Sequence, residues 1–235
     1  MGNRVLQGLK TRLQSVKKRI EEAAKACGRS PESVRLIAVS KTVGTIHVRE
    51  AIEAGVTVLG ENYVQEARSK ISDLSAYPVS WHFVGHLQSN KAKYAVRLFD
   101  LIHSVDSIKL ARELNKQAKK INKIQDILIQ VNIGAESAKS GALAQDTKKL
   151  LQDVSTLDNL ALKGLMTMPP FYNNPEKVRP FFAALRELRD HLEQQRIVNV
   201  TLNELSMGMT GDFEAAIEEG STLVRIGTAI FGDRK

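Results

Sequence analysis

A lysine at the end of a predicted strand is the first residue that could do covalent chemistry. The segment RLIAVSK spans residues 35–41, and Ile37, Val39 and Lys41 share one face of an extended chain. If that face points inward, the lysine amine stands over an apolar floor that favours its neutral form, the nucleophile that condenses with a carbonyl. The same pattern is equally typical of a lysine that is simply the first solvated residue after a strand.

Two segments near the C-terminus have the composition of an anion site. SMGMTGD at 206–212 precedes an apparent helix, and RIGT at 225–228 supplies a cation, a glycine and a hydroxyl. Bare backbone N–H groups and a helix start favour an anion such as phosphate. Either segment alone is also typical of a tight turn, but together they favour a phosphate site.

Short apolar runs alternate with amphipathic segments along the chain, which predicts parallel strands joined by helices. The predicted strands are RLIAVSK (35–41), VTVLGEN (56–62), VSWHFVG (79–85), DLIHSV (100–105), DILIQVNI (126–133), LKGLMTM (162–168), VTLNELSM (200–207) and TLVRIG (222–227). Eight such units in about 200 residues predict an α/β fold, a closed (β/α)8 TIM-type barrel, whose functional groups sit at the C-terminal ends of the strands. An open doubly wound sheet is the main alternative, but the turn after the first strand lacks the G-x-G-x-x-G pattern.

The first 28 residues form a predicted helix before strand one, so we expect one domain over residues 1–235. Apolar residues repeat at steps of three and four up to Cys27, and Gly28 ends the pattern. We expect Cys27 to be a small buried hydrophobe. A second helix should begin with Asp106 as its N-cap.

Composition narrows the functional classes. The 235 residues are 43% hydrophobic and 26% charged, which is typical of a globular protein with a sizeable core. The net charge of +8 allows an anionic partner, but only 5% of residues are aromatic, which argues against base stacking on nucleic acid. A single cysteine suits the reducing cytoplasm, and no apolar run is long enough to span a bilayer. We therefore expect a cytoplasmic protein with neither a nucleic acid nor a membrane as its partner.

Several longer segments resemble one family closely. They are LIAVSKT (36–42), GENYVQEA (60–67), WHFVGHLQSNK (81–91) and LSMGMTGDFEAAIEEGSTLVRIGTAIFG (205–232). Together they resemble the pyridoxal phosphate homeostasis protein family, which is similar to the N-terminal barrel domain of alanine racemases. The resemblance covers essentially the full chain.

The resemblance implies pyridoxal 5′-phosphate as the cofactor and gives individual residues a role. Lys41 would hold it as an internal aldimine, and Arg225 would face the pyridine nitrogen. Ser206, Gly227 and Thr228 would bind the phosphate. The other cofactor-binding candidates are Asn62, Met166, Gly208, His82 and Lys139.

Two functions remain open on this basis, a carrier of the cofactor and a racemase-like enzyme. A permanently charged arginine at the ring nitrogen makes the ring a weak electron sink, which disfavours amino-acid chemistry. A racemase also needs a second acid/base group. The racemases take it from a C-terminal domain that we expect to be missing here, with Tyr63, His82 and Tyr172 as conceivable substitutes. We therefore expect a monomeric carrier in pyridoxal phosphate homeostasis that supplies apo-enzymes and has no catalytic residue.

Two other patterns, a pair of histidines and a run of basic residues, do not predict a functional site. His82 and His86 are four residues apart, but no third ligand is near in sequence, so we expect no metal site. A run of six basic residues from Lys109 to Lys123 is mostly one solvated helix face.

Overall fold

The computed structural model describes the backbone of residues 2–136 and 140–232 and the side chains of these residues from residue 8 onward. Eight parallel strands close into a barrel, which confirms the predicted fold class. The barrel strands are β1 (Arg35–Val39), β2 (Val58–Glu61), β3 (Ser80–Phe83), β4 (Leu101–Val105), β5 (Gln125–Asn132), β7 (Leu160–Met166), β8 (Glu204–Ser206) and β9 (Leu223–Ile226). A two-residue strand, β6 (Ala142–Leu143), pairs with β5.

The strands follow the order of the chain around the barrel. Each pairs in parallel with the next, β4 pairs with β5, and β9 returns to β1 with Ile37 opposite Arg225. This register places β1, which leads into Lys41, beside β9, which carries Arg225.

Helices surround the barrel. They are α1 (Gly2–Ala26), α2 (Thr45–Glu53), α3 (Val64–Asp73), α4 (Ala92–Leu98), α5 (Ile108–Lys119), α6 (Ala144–Val154), α7 (Arg179–Gln194), α8 (Phe213–Glu218) and α9 (Thr228–Phe231). None of the helices in the described ranges combines the length and apolar character that a membrane crossing requires.

The predicted N-terminal helix is present, but its end differs from the expectation for Cys27. The helix α1 buries Leu9, Leu13 and Val16 and packs on α8 and α9. It ends at Ala26, so Cys27 falls after the last turn and is exposed. The expectation of a buried Cys27 was wrong because the last buried residue of α1 is Ala24 and the helix ends before residue 27.

The predicted N-cap of α5 is also wrong by one residue. Ser107, not Asp106, accepts a hydrogen bond at its side chain from the Leu110 amide, at 3.4 Å. Both residue types cap helices well, so the sequence pattern alone does not separate them.

The barrel interior has an apolar layer in its middle. Ile37, Leu101, Leu128, Met166 and Leu223 pack there from five strands, with Val39 against them. A larger apolar cluster lies between the strands and the helices. Val39 connects this layer to the site described next, which it also lines.

Candidate functional site

A cavity of about 320 Å³ opens at the C-terminal ends of the barrel strands. Lys41 follows β1, Asn62 follows β2, and residues 209–212 follow β8. Arg225, Gly227 and Thr228 come from β9 and the turn after it. This volume is within the range of small-molecule sites, and the location is where barrels of this type carry their ligands.

Lys41 reaches the cavity as the alternation of strand one predicts. Ile37 and Val39 belong to the inner apolar cluster, and Val39 and Lys41 both line the cavity. Lys41 is half-buried. The interpretation of this lysine as an inward-facing residue is confirmed, and its amine shares the space with Arg225.

Arg225 is the buried cation of the cavity. Its side chain donates to Ser206 Oγ at 2.6 Å and to the Thr167 carbonyl oxygen at 2.9 Å, and the residue is 4% exposed. Burial lowers the pKa of Arg225 to about 10, and the carboxylate of Asp212 partly opposes this change. The guanidinium therefore stays charged at neutral pH and is held in one orientation.

The structure does not bring Ser206 into the cavity lining. Its side chain is fully buried inside the barrel, where Oγ lies 2.6 Å from Arg225 Nη1 and 2.8 Å from His103 Nδ1. This hydroxyl, which is predicted to bind phosphate, contacts Arg225 in the structure. Thr210, four residues later, lines the cavity in the same loop.

His82 is likewise placed away from this cavity. It lines a second, polar cavity of about 540 Å³ at the opposite, N-terminal end of the barrel, with Arg35 and Asp100. Its Nδ1 lies 3.0 Å from His103 Nε2, and burial lowers the pKa of His82 to about 4. His103 is fully buried, and burial lowers its pKa well below the ordinary value. Both rings are therefore neutral at pH 7, and His103 links His82 to Ser206.

The loop after β8 is shaped by a glycine and a carboxylate. Gly208 has φ +90°, and a Cβ there would lie 2.6 Å from Ala216 Cβ, so this position requires glycine. Asp212 accepts a hydrogen bond from the Met209 amide at 2.6 Å, and burial raises the pKa of Asp212. Gly208 itself does not line the cavity. It sets the turn that presents Met209 and Thr210 there.

Gly227 and Thr228 follow β9 directly and also line the cavity. A Cβ at Gly227 would lie 3.1 Å from the Val39 carbonyl oxygen, so the absence of a side chain lets the turn approach β1 closely. Thr228 begins α9 and is exposed at the rim. The prediction that segments 206–212 and 225–228 meet at one site is thus supported. Thr210 supplies the hydroxyl of the first segment.

Asn62 brings a polar group to the wall after β2. Its Oδ1 is buried and has no hydrogen-bond partner among the residues that the structure describes. The backbone of Asn62 approaches Gly85 so closely that a Cβ at residue 85 would lie 2.3 Å from the Asn62 carbonyl oxygen. The glycine after β3 therefore helps to place Asn62.

Two other predicted residues are not part of the lining. Met166 is fully buried in the apolar layer below the cavity, whereas Met168, two residues later, lines it. Lys139 lies outside the described residues. Phe171 and Tyr172 from the same loop as Met168 also line the cavity, although the sequence suggests Tyr172 only as a substitute base.

The two histidines considered for metal binding lie in different surroundings. His82 is inside the barrel, while His86 is exposed with its Nδ1 3.2 Å from Ser140 Oγ. In the part of the chain with described side chains, no three His, Cys, Asp or Glu residues cluster as metal ligands.

Comparison with known proteins agrees with this architecture. The family of the alanine racemase N-terminal domain matches residues 11–235. A pyridoxal phosphate homeostasis protein of Aquifex aeolicus is 49% identical over 224 residues, which cover 95% of this chain and 97% of that protein. The chain therefore belongs to the alanine racemase N-terminal domain family, within its pyridoxal phosphate homeostasis proteins.

Solved structures show the same fold. PipY of Synechococcus elongatus PCC7942, whose structure has pyridoxal phosphate bound, is 36% identical, with a TM-score of 0.84 over 95% of this chain and 100% of that chain. A protein from Bifidobacterium adolescentis, also 36% identical, gives a TM-score of 0.92 over 98% of this chain and 97% of that chain.

Proposed function

We propose that this protein holds pyridoxal 5′-phosphate at the mouth of the barrel, with Lys41 joined to the cofactor's aldehyde as a Schiff base. The observation that carries the proposal is one cavity that contains an inward-facing lysine, a buried arginine and two turns that each carry a threonine hydroxyl. The pyridoxal phosphate bound to PipY, a relative that spans the same length, supports the same ligand here.

The cavity residues fit the chemical groups of this cofactor. The Lys41 amine suits an aldehyde, and the turns at 209–212 and 227–228 suit a phosphate ester. Arg225 can donate to an unprotonated ring nitrogen. The buried Asn62 Oδ1 lacks a partner among the described residues and would accept a hydrogen bond from a ring hydroxyl.

The covalent step follows from the chemistry of a primary amine. The neutral Lys41 nitrogen adds to the aldehyde carbon, both of its protons are transferred to the aldehyde oxygen, and that oxygen leaves as one water molecule. A C=N bond replaces the C=O bond, so no oxidant or reductant is needed.

The charge state of Arg225 favours a carrier of the cofactor over an enzyme that uses it. With a pKa of about 10, the guanidinium is charged at pH 7 and donates hydrogen bonds, so it does not protonate the ring nitrogen. Bound cofactor would then be a weak electron sink, which disfavours chemistry at the α-carbon of amino acids. We infer a carrier in pyridoxal phosphate homeostasis that keeps a reactive aldehyde from free amines and supplies it to apo-enzymes in the cytoplasm.

A racemase-like enzyme is the second candidate, and one observation favours it. Of the three substitutes for a second acid/base group, Tyr172 lines the cavity. Tyr63 is exposed outside that lining, and His82 is at the other end of the barrel. Turnover of any common amino acid at about 1 per second or faster would favour this candidate over the carrier.

Absorbance titration with pyridoxal phosphate and with pyridoxal tests the proposal. We expect wild type to develop the imine band with the phosphate ester at concentrations far below those needed for pyridoxal. Lys41→Ala should abolish the band, while Lys149→Ala, which removes an exposed lysine on α6, should leave it unchanged. Equal affinity for the two aldehydes would contradict the phosphate site, and an unchanged band in Lys41→Ala would contradict the role of Lys41.

A further inference from the structure

A cluster of charged residues, two of them buried, contacts the segment that carries Lys41. Glu61, the last residue of β2, is fully buried, and Lys70 on α3 is 4% exposed. Lys70 Nζ lies 2.7 Å from Glu61 Oε1 and 2.7 Å from Glu66 Oε1. We call Glu61, Glu66 and Lys70 the charged triad.

The charged triad contacts the residue before Lys41 in two ways. Lys70 Nζ donates to the Ser40 carbonyl oxygen at 2.5 Å. The Ser40 hydroxyl donates to Glu61 Oε1 at 2.6 Å. All three N–H donors of the Lys70 ammonium therefore have an acceptor, and one of these acceptors belongs to the peptide that leads into Lys41.

The triad also contacts the residue after Lys41. Glu66 Oε1 accepts a hydrogen bond from the Thr42 amide at 2.6 Å. Thr42 has φ +63°, a left-handed conformation that a β-branched residue rarely adopts. Such strain persists where surrounding contacts enforce it, and Glu66 supplies one of those contacts.

Fold stability alone does not account for this arrangement. Burying an ion pair carries a desolvation cost that often cancels its attraction, and apolar residues of similar size frequently serve stability as well or better. Burial raises the pKa of Glu61, while Lys70 and Ser40 oppose that rise by donating to its Oε1. What the cluster does provide is a fixed backbone on both sides of one side chain.

We propose that Glu61, Glu66 and Lys70 are positioning residues that hold the peptides on both sides of Lys41, so that its amine enters the cavity ready to form the Schiff base. This inference rests on the proposed function of Lys41. The triad does not line the cavity, so it acts through the position of Lys41. A misplacement of about 1 Å at a reacting group can reduce a rate by roughly 100-fold.

Glu66 is the member best suited to a test. Its side chain is 25% exposed, so Glu66→Ala removes the bond to Thr42 without leaving a large cavity in the core. Glu66→Gln keeps an oxygen acceptor for Thr42. Asp153→Ala is a matched control, because Asp153 also forms an i,i+4 ion pair with a lysine, at 2.5 Å, and is 33% exposed, but lies on α6.

Two ligands separate positioning of Lys41 from general damage to the cavity. Pyridoxal phosphate reports formation of the imine by absorbance, and 4′-deoxypyridoxine 5′-phosphate, which lacks the aldehyde, reports the rest of the cavity by calorimetry. We expect Glu66→Ala to form the imine about 10- to 100-fold more slowly while its affinity for the deoxy ligand stays within about twofold of wild type. Glu66→Gln should recover most of the rate, and Asp153→Ala should match wild type.

Each outcome bears on a different claim. A wild-type rate in Glu66→Ala would overturn the inference, and so would a loss of affinity for the deoxy ligand as large as the loss of rate. If Glu66→Ala did not fold, Lys70→Met, which removes the bond to the Ser40 carbonyl oxygen, would take its place, and a wild-type rate in that variant would also overturn the inference. Absence of an imine band in the wild-type protein would refute the proposed function itself, before any variant is compared.

Discussion

Ser206 and Thr210 are two hydroxyl residues of one segment, and the structure predicts opposite effects when each is removed. Ser206 is fully buried, and its Oγ contacts Arg225 Nη1 at 2.6 Å and His103 Nδ1 at 2.8 Å. Thr210 is half-buried in the cavity wall. Loss of the first should cost stability, and loss of the second should cost cofactor affinity.

The magnitude for Ser206→Ala follows from its two partners. Each buried polar group left without a partner costs about 1–3 kcal/mol, and Arg225 keeps its bond to the Thr167 carbonyl oxygen. We therefore expect the free energy of unfolding to fall by about 2–4 kcal/mol, which lowers Tm by roughly 10 °C in a chain of this size. For Thr210→Val we expect a change of less than about 1 kcal/mol.

Affinity should show the reverse order. A hydrogen bond to a charged group contributes about 1.5–3 kcal/mol, so Thr210→Val should bind pyridoxal phosphate about 10- to 100-fold more weakly. Urea unfolding must use cofactor-free protein, because bound ligand raises the apparent stability by mass action. The reasoning is refuted if Ser206→Ala unfolds like wild type and loses the cofactor while Thr210→Val keeps it.

Three further perturbations are expected to give the following results. Gly208→Ala should lower the free energy of unfolding by at least about 1–3 kcal/mol in urea, because φ is +90° and the new Cβ would lie 2.6 Å from Ala216 Cβ; unchanged stability would contradict the turn geometry. Tyr172→Phe should keep both the imine band and the absence of amino-acid turnover, whereas a racemisation rate that falls with this substitution would identify Tyr172 as an acid/base group. Folding lowers the pKa of His82 from its ordinary 6.5 to about 4. The neutral ring therefore contributes about 3 kcal/mol to the free energy of unfolding above pH 6.5, and this contribution is lost as the pH falls towards 4. His82→Asn should therefore lose less stability than wild type between pH 6.5 and 4 in urea titrations, and parallel losses would argue against a buried neutral His82.

The sequence was informative where a residue's place follows from strand periodicity. Ile37, Val39 and Lys41 alternate along β1, and the inward face that this pattern predicts is the observed one. The loops after the seventh and eighth barrel strands were also recognised, because glycine, hydroxyl and arginine side chains occur together there. Barrel topology then brings these separate segments to one rim.

Depth within the barrel was harder to predict. Ser206 and Thr210 carry the same functional group in one segment, and the strand register alone decides that Ser206 lies beneath Arg225. His82 is the third residue of β3, but it lies opposite Leu101 at the start of β4, and both residues line the N-terminal cavity and not the C-terminal one. Strand periodicity predicts which face of the sheet a residue occupies, but it does not predict how deep along the barrel axis that residue lies.

Contacts between distant residues left no sequence signal. His103 contacts His82, 21 positions earlier in the chain, and Ser206, 103 positions later. Lys70 reaches back 30 positions to the Ser40 carbonyl oxygen. Such pairs are set by how helices and strands pack, which no local pattern of residue types encodes.

Borohydride reduction followed by peptide mapping tests the central claim most directly. The protein is mixed with pyridoxal phosphate at neutral pH, the imine is reduced, and the labelled peptide is identified by mass spectrometry. We expect about one phosphopyridoxyl group per chain, on Lys41. Label confined to another lysine, such as Lys139, or no label at a saturating cofactor concentration, would contradict the account.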